Sequence, residues 1–503
     1  MHRRAIRLSN VASELSPWAA RALGFAFGVS GVIGFAPVAW YGFVVFALAG
    51  VFWLWMGRAW ADASVIGFAF GLGWFGAGIH WVWYSAYAFG GTPLPLAILI
   101  NLLLVAVLAL YPAGFGWAAK RVFAMGRGSG LTLALATLWV LFESARGVLF
   151  TGFPWLNPGY AFVASPLAGY APIGGVNLVA LVVVLTAVQG AQVALGRIAF
   201  SGLMLPVALW ILGWAITQVS WVTPQGKVLD TAIIQGNIDQ TSKWRPEQRR
   251  QIVDRYLQMT GSNLDVDLIV WPETALPVFF DSAKPVLDDM DEDARERGVG
   301  LLIGAPTRNP DGRYFNSLVA MGAATGIYKK RHLVPFGEYV PLMTLFGTLI
   351  QFLDVPMSNF STGIALQTPF RLGDAAIAAT ICFEDAFPAV AHGHEGSANL
   401  MVNVSNDAWF GNTWAPDQHL QIARMRSLEA QRYQVRATNT GLSAVIDASG
   451  AIMDIGRPWE ATVVRAKVPL MIGETPFIYV GTGVWGLFYV LIVVGFAVLF
   501  RFR

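Results

Sequence analysis

Residues 375–385 read AAIAATICFED. Small and β-branched apolar residues run from Ala375 to Ile381, then the composition turns acidic at Glu384 and Asp385. So short an apolar run, bounded by polar residues, reads as a buried strand. Cys382 stands at its carboxyl end. It is the only cysteine among 503 residues, so it has no internal disulfide partner. A cysteine that closes an apolar strand is ordinarily a small core residue. It reads as a nucleophile only if the fold brings a base and an oxyanion donor to it.

The surrounding segment, 227–470, alternates strand-like and helical runs. DTAIIQG (230–236), DLIVW (267–271), GLLIGAP (300–306), YFNSLVAMG (314–322), DAAIAATIC (374–382), ANLMVNVS (398–405), GLSAVID (441–447) and TVVRAKV (462–468) are expected strands. PEQRRQIVDRYLQM (246–259), AKPVLDDMDEDARERG (283–298) and DQHLQIARMRSLEAQRYQVRAT (417–438) are expected helices. Strands interleaved with helices of this length predict an α/β domain.

Chemistry-bearing residues collect where strands end. LIVWPETALP puts Glu273 just past a strand. YKKRHLVPFGEYVP (328–341) carries Lys329, Lys330 and Glu338 from a strand-like run into a Pro/Gly loop. Sites in α/β sheets gather beyond the carboxyl ends of strands. A carboxylate can take a thiol proton, the thiolate can attack a carbonyl, and an ammonium can meet the oxyanion. The backbone N–H after the cysteine and a helix start near Phe387 are further oxyanion donors. Singly, each feature has an ordinary reading. Cys382 fits a core, Trp-Pro-Glu a plain strand end, Lys-Lys-Arg a solvated patch, and SNDAWFG (405–411) a turn.

The rest of the chain belongs to a different solvent. Hydrophobic residues make up 55% and charged residues 13%, against about 25% charged in an average soluble domain. Mean hydropathy is +0.54. The net charge of +3 excludes a nucleic-acid binder of the ordinary basic kind. Eight runs approach the roughly 20 apolar residues a helix needs to cross a bilayer. They lie near 20–36, 39–57, 64–86, 94–118, 130–148, 172–194, 199–219 and 482–500. The predicted division is seven membrane helices in 1–220, a catalytic domain in 221–475 and an eighth helix in 476–503. No cleaved signal peptide is expected.

Arg3, Arg4, Arg7 and Arg21, then Arg58, then Lys120, Arg121 and Arg127, then Arg197, then Arg501 and Arg503 fall on one side of such an arrangement. The positive-inside rule makes that side cytoplasmic, with both termini there and 221–475 outside, in the bacterial periplasm. That space is oxidising, which makes a retained lone thiol either buried or needed. PLMTLFGTLIQFLDVP (341–356) reads equally as an interfacial lid helix and as a packed core helix. Glu143, Arg146 and His80 fall near outer span ends, where an internal Glu143–Arg146 pair and a head-group contact are both open.

The order WPET, YKKRHLVPFGEYVP, ICFED, NVSNDAWFG resembles the nitrilase superfamily, in which Glu, Lys and Cys stand at strand ends of an αββα sandwich. With eight spans around it, the chain resembles the bacterial apolipoprotein N-acyltransferase family. WVWYSAYAFGG (81–91), TGFPWLNPGY (151–160) and QGNIDQTSKW (235–244) are also similar to that family's segments.

The resemblance implies Cys382 as nucleophile, Glu273 as general base and Lys330, rather than Lys329, as oxyanion-stabilising lysine. It implies Glu338 and Glu384 as supporting acids, and Trp244, Trp409 and Phe383 as substrate-side loop residues. It implies no metal and no cofactor. The implied substrates are a phospholipid acyl donor and a diacylated apolipoprotein acceptor, handled by a membrane-embedded monomer that binds no nucleic acid. Two other readings are a membrane-tethered amidase that uses water, and a transporter with an external binding domain.

Overall fold

The structure is a computed structural model that describes residues 11–123, 128–339, 359–394 and 396–501. The chain divides into two compact units. One comprises Met1–Trp83, Pro95–Ser220 and Pro476–Arg503, and the other Tyr84–Leu94 and Trp221–Thr475.

The first unit is helical. Its helices include Pro17–Gly31, Gly42–Gly57, Ala63–Gly78, Leu94–Phe123, Gly128–Arg146, Ala171–Ala194, Met204–Ile216 and Thr482–Arg501. Each lies where an apolar run was expected. Two segments, Leu94–Arg121 and Pro166–Ala194, are long and apolar enough to cross a membrane. A third joins them if Ala63–Gly78 and Val82–Ala88, bent by 52°, are taken as one span. Length and composition thus support two or three crossings among the described residues, fewer than the eight expected. Gly42–Gly57, Phe200–Ile216 and Thr482–Val498 are apolar but shorter.

Pro17–Gly31 and Ala63–Gly78 approach through glycines. A Cβ on Gly28 would come within 2.1 Å of the Phe70 carbonyl oxygen, and one on Gly73 within 2.1 Å of that of Phe25. Only glycine permits so close a backbone approach between the two helices. Arg146 is 1% exposed. It pairs with Glu143 and donates to the backbone carbonyls of Phe153 and Trp155. Of the two readings of this charged pair, the structure has the internal ion pair.

The second unit stacks two six-stranded sheets. The first has the order β12-β1-β2-β3-β4-β5 and the second β11-β10-β9-β8-β7-β6. The first six strands are β1 (Thr223–Gln235), β2 (Leu268–Val270), β3 (Gly300–Arg308), β4 (Tyr314–Gly322), β5 (Ile327–Lys329) and β6 (Phe370–Leu372). The others are β7 (Ala375–Ile381), β8 (Leu400–Ser405), β9 (Gln434–Thr438), β10 (Ala444–Ile446), β11 (Ile452–Ile455) and β12 (Thr462–Ile472). β1, β2 and β3 run parallel, as do β7, β8 and β9, and the remaining pairings are antiparallel.

The two-residue period of the strands sorts their side chains into layers. Leu268 and Val270 of β2 enter the core between the sheets with Ile377, Ile381, Val402 and Val404. Ile269 and Trp271 turn the other way, onto the helices Arg249–Gly261 and Phe280–Glu296 through Ile252, Tyr256, Leu287 and Met290. The helix Ala415–Ala430 covers the second sheet's outer face through Leu420 and Ala423. The layers are therefore helix, sheet, sheet, helix, the αββα sandwich expected.

One expected helix is corrected. The run 417–438 is not a single helix. It ends at Ala430, Gln431 takes a left-handed φ of 46°, and β9 follows at Gln434–Thr438. No glycine or proline marks this break, and the αL residue is a glutamine. β6 and β11, of three and four residues, were not anticipated. The lid expectation at 341–356 lies outside the described residues.

Candidate active site

Three strand ends supply the central groups. Cys382 follows β7 directly, Lys330 follows β5 directly, and Glu273 lies three residues past β2. All three are buried, at 8%, 1% and 6% exposure.

Lys330 Nζ donates to Glu273 Oε1 at 3.2 Å and to Glu338 Oε1 at 2.9 Å. Asn316 Nδ2, from β4, donates to the same two oxygens at 2.7 and 2.9 Å. The second oxygen of Glu273 accepts from the Asn406 backbone N–H at 3.0 Å. The Glu273 turn packs on bare backbone, since a Cβ on Gly304 would meet the Pro272 carbonyl oxygen at 2.0 Å and Glu273 Cα at 2.9 Å. Burial alone would depress the Lys330 ammonium. The carboxylates of Glu273 and Glu338 reverse that and hold its pKa well above the ordinary lysine value.

The strand alternation sends the two neighbouring lysines to different surroundings. Lys329 turns to the other face, where its ammonium meets Asn309 Oδ1 at 2.7 Å and lies over the Phe315 ring. Lys330, not Lys329, stands beside Glu273.

Cys382 occupies a left-handed backbone conformation with φ of 58°. For a residue with a Cβ this costs on the order of 1 kcal/mol, and such strain collects at functional sites. The thiol is buried within electrostatic reach of both Glu273 and Lys330. Burial pushes the thiol pKa strongly up, the Glu273 charge adds to this, and the Lys330 ammonium opposes it. The balance favours the thiol over the thiolate, beside a carboxylate that can take its proton.

Glu384 has a different place from the one its position beside the cysteine suggests. It is fully buried and accepts four donors. Oε1 takes the backbone N–H groups of Arg331 and His332 at 2.7 and 2.9 Å. Oε2 takes the Ile381 N–H at 2.7 Å and the Tyr328 hydroxyl at 2.9 Å. It thus ties the loop after Lys330 to the strand end before Cys382.

The three aromatic residues stand outside these hydrogen bonds. Phe383 packs edge-on against His332 and Phe387. Trp409 meets Phe89 edge-on at 5.2 Å, and its carbonyl accepts from Ser85 Oγ at 2.6 Å. Trp244 is half-buried in the turn next to Lys243.

Residues 27–189 match the family model described as Apolipoprotein N-acyltransferase N-terminal domain, and residues 230–476 match the one described as Carbon-nitrogen hydrolase. The apolipoprotein N-acyltransferase of Nitrosomonas europaea is 39% identical over 464 residues, which cover 91% of this chain and 93% of that protein. That of Methylococcus capsulatus is 38% identical over 476 residues, covering 92% and 90%. The chain belongs to the apolipoprotein N-acyltransferase family. Among solved structures, the carbon-nitrogen hydrolase of Helicobacter pylori G27 is similar with 15% identity and a TM-score of 0.36, over 48% of this chain and 89% of that one.

In this family member, sequence reading missed several residues around the central group. Lys243 is 1% exposed and donates from Nζ to Thr274 Oγ1 at 3.0 Å, next to Glu273. Burial lowers its pKa to about 8, against the pull of Glu273. On the other side of the site, Asp407 accepts from Ser405 Oγ at 2.8 Å and from Arg436 at 3.0 Å. Burial disfavours that carboxylate, but Arg436 and His419 hold it far below the usual range. Asn316 was signalled by a polar side chain inside an apolar strand, whereas Arg436 was overlooked because its strand was read as part of the helix 417–438.

Proposed function

We propose that this protein moves a fatty acyl chain from a membrane phospholipid to the N-terminal amine of a diacylglyceryl-cysteine lipoprotein, through a thioester on Cys382. The observation that carries the roles is the Lys330–Glu273 pair buried beside a thiol on a left-handed turn. The family membership supports the substrates.

In the first half, Cys382 Sγ attacks the ester carbonyl carbon as Glu273 accepts the thiol proton. The carbonyl electron pair moves to oxygen, where Lys330 Nζ and the Phe383 N–H stabilise it. The ester C–O bond breaks, Glu273 returns the proton to the leaving alkoxide, and a lysophospholipid departs. In the second half, the lipoprotein α-amine attacks the thioester carbonyl and gives Glu273 a proton. The C–S bond breaks, the thiolate regains the proton, and an amide remains. A thioester retains enough acyl-transfer potential for this without ATP, and the kinetics are ping-pong. Glu338 keeps Lys330 charged, and Glu384 holds the two strand ends together. Trp244, Trp409 and Phe383 line the substrate side.

The candidate spans and the distribution of Arg and Lys support a multi-pass protein of the bacterial inner membrane. The reading has eight crossings, cytoplasmic termini, a periplasmic catalytic unit and a monomer. Incubation of the purified protein with acyl-labelled phospholipid and a diacylated lipopeptide tests the function. Label is expected on the lipopeptide amine; release only as free fatty acid makes the protein a hydrolase instead.

A further inference from the structure

The Cys382 carbonyl oxygen accepts two side-chain donors from beneath the turn. Asn403 Nδ2, from β8, reaches it at 3.1 Å, and His419 Nε2, from the helix Ala415–Ala430, at 3.2 Å. Both donors are themselves fixed and fully or almost fully buried. Arg436 donates through one nitrogen to Asn403 Oδ1 and through the other to Asp407 Oδ2 at 3.0 Å, with His419 Nδ1 2.9 Å from that second nitrogen. Asp407 Oδ1 also lies 3.1 Å from His419 Nδ1. The Cys382 carbonyl can only accept, so its contact with Nε2 requires a proton on that nitrogen.

A peptide group is planar and trans, so its C=O and N–H point in opposite directions. Holding the Cys382 carbonyl from below therefore aims the N–H of Phe383, on the same peptide, toward the opposite side. A left-handed turn on a residue with a Cβ is not self-maintaining and needs such over-determination.

We propose that His419, with Asn403, is a positioning residue that aims the Phe383 N–H at the developing oxyanion by gripping the Cys382 carbonyl. This rests on the acyl-enzyme reading above and deepens it. His419 touches no substrate. It acts through one peptide plane, and Arg436 and Asp407 hold the Nδ1 side of its ring in place.

The test separates aiming from mere folding. Carbonyl attack on a short p-nitrophenyl ester forms the Sγ–C bond, passes the thiol proton to Glu273, places charge on oxygen and expels p-nitrophenol. Alkylation of Cys382 by iodoacetamide forms an S–C bond as the C–I bond breaks, releasing iodide and the thiol proton, without any oxyanion. His419→Gln keeps an N–H donor near the Nε2 position. His419→Asn keeps a polar group near Asp407 and Arg436 but is too short for the Cys382 carbonyl, and His419→Leu removes the donor altogether.

In the full-length protein, His419→Asn and His419→Leu are expected to acylate about 10–100-fold more slowly than wild type, a fraction of the loss from deleting an oxyanion donor. Their alkylation rates are expected to stay within about threefold, and His419→Gln to recover most of the acylation rate. Equal losses in acylation and alkylation, or full acylation by His419→Asn, overturn the proposal. Wild-type protein that reacts with the p-nitrophenyl ester but not with phospholipid overturns the lipid-donor reading and leaves the positioning result standing.

Discussion

Lys330 Nζ lies 3.2 Å from Glu273 Oε1, a contact that joins residues 57 apart in sequence and holds an ammonium and a carboxylate in one buried space. Neither group is replaceable by its neutral isostere on this account. Glu273→Gln loses the proton acceptor and is expected to slow thioester formation by about 10²–10⁴-fold. Lys330→Met loses an oxyanion donor, with an expected loss of about 10²–10³-fold, and leaves Glu273 and Glu338 close together without their cation. Single-turnover acylation by labelled phospholipid measures both.

Cys382 has a pKa pushed up by burial and by the Glu273 charge. Its alkylation by iodoacetamide is therefore expected to climb continuously through pH 9 rather than level off near neutrality. Glu273→Gln removes one of the raising influences, so the thiolate fraction rises and alkylation at pH 8 is expected to quicken while acylation slows. A plateau near pH 7 in the wild type contradicts a thiol pKa raised in this way.

Lys243 combines burial with a pKa lowered from 10.5 to about 8. The folded state thus binds this proton more weakly than the unfolded chain. The penalty is complete below pH 8, where both states are charged, and is relieved as pH rises from 8 toward 10.5. It amounts to on the order of 3 kcal/mol, against about 1 kcal/mol for the Thr274 hydrogen bond. Lys243→Met is therefore expected to melt above wild type at pH 7, with the difference shrinking toward pH 10. Thermal midpoints across that range check it; a constant difference contradicts it.

Glu384 accepts four donors from two segments. Glu384→Ala leaves them buried without an acceptor, at about 1–3 kcal/mol each before relaxation. The expected result is a much lower thermal midpoint together with loss of both acylation and alkylation, since the cysteine turn loses its tie. Selective loss of acylation with unchanged melting contradicts this structural role.

The fold of the second unit was largely legible because its strands are short, apolar and bounded by Pro, Gly or charge. YFNSLVAMG became β4 without a change of boundary. Failures have local causes. Helix Ala415–Ala430 stops at a left-handed glutamine, so a continuous polar–apolar pattern hid both the break and the buried Arg436 in β9. Strand ends located Glu273, Cys382 and the Lys329–Lys330 pair, because chemistry in such sheets sits where strands stop, and the family resemblance chose Lys330. The gripping residues were not legible. Asn403, His419 and Asp407 act through a backbone carbonyl, and no spacing rule on one chain marks a contact between β8, a helix and a turn.

Mass measurement of the intact protein after exposure to phospholipid, before and after adding diacylated lipopeptide, tests the central claim most directly. One fatty acyl adduct on Cys382 is expected, and it is expected to vanish when the lipopeptide arrives. An unmodified protein that still turns over, or an adduct on any other residue, contradicts the account.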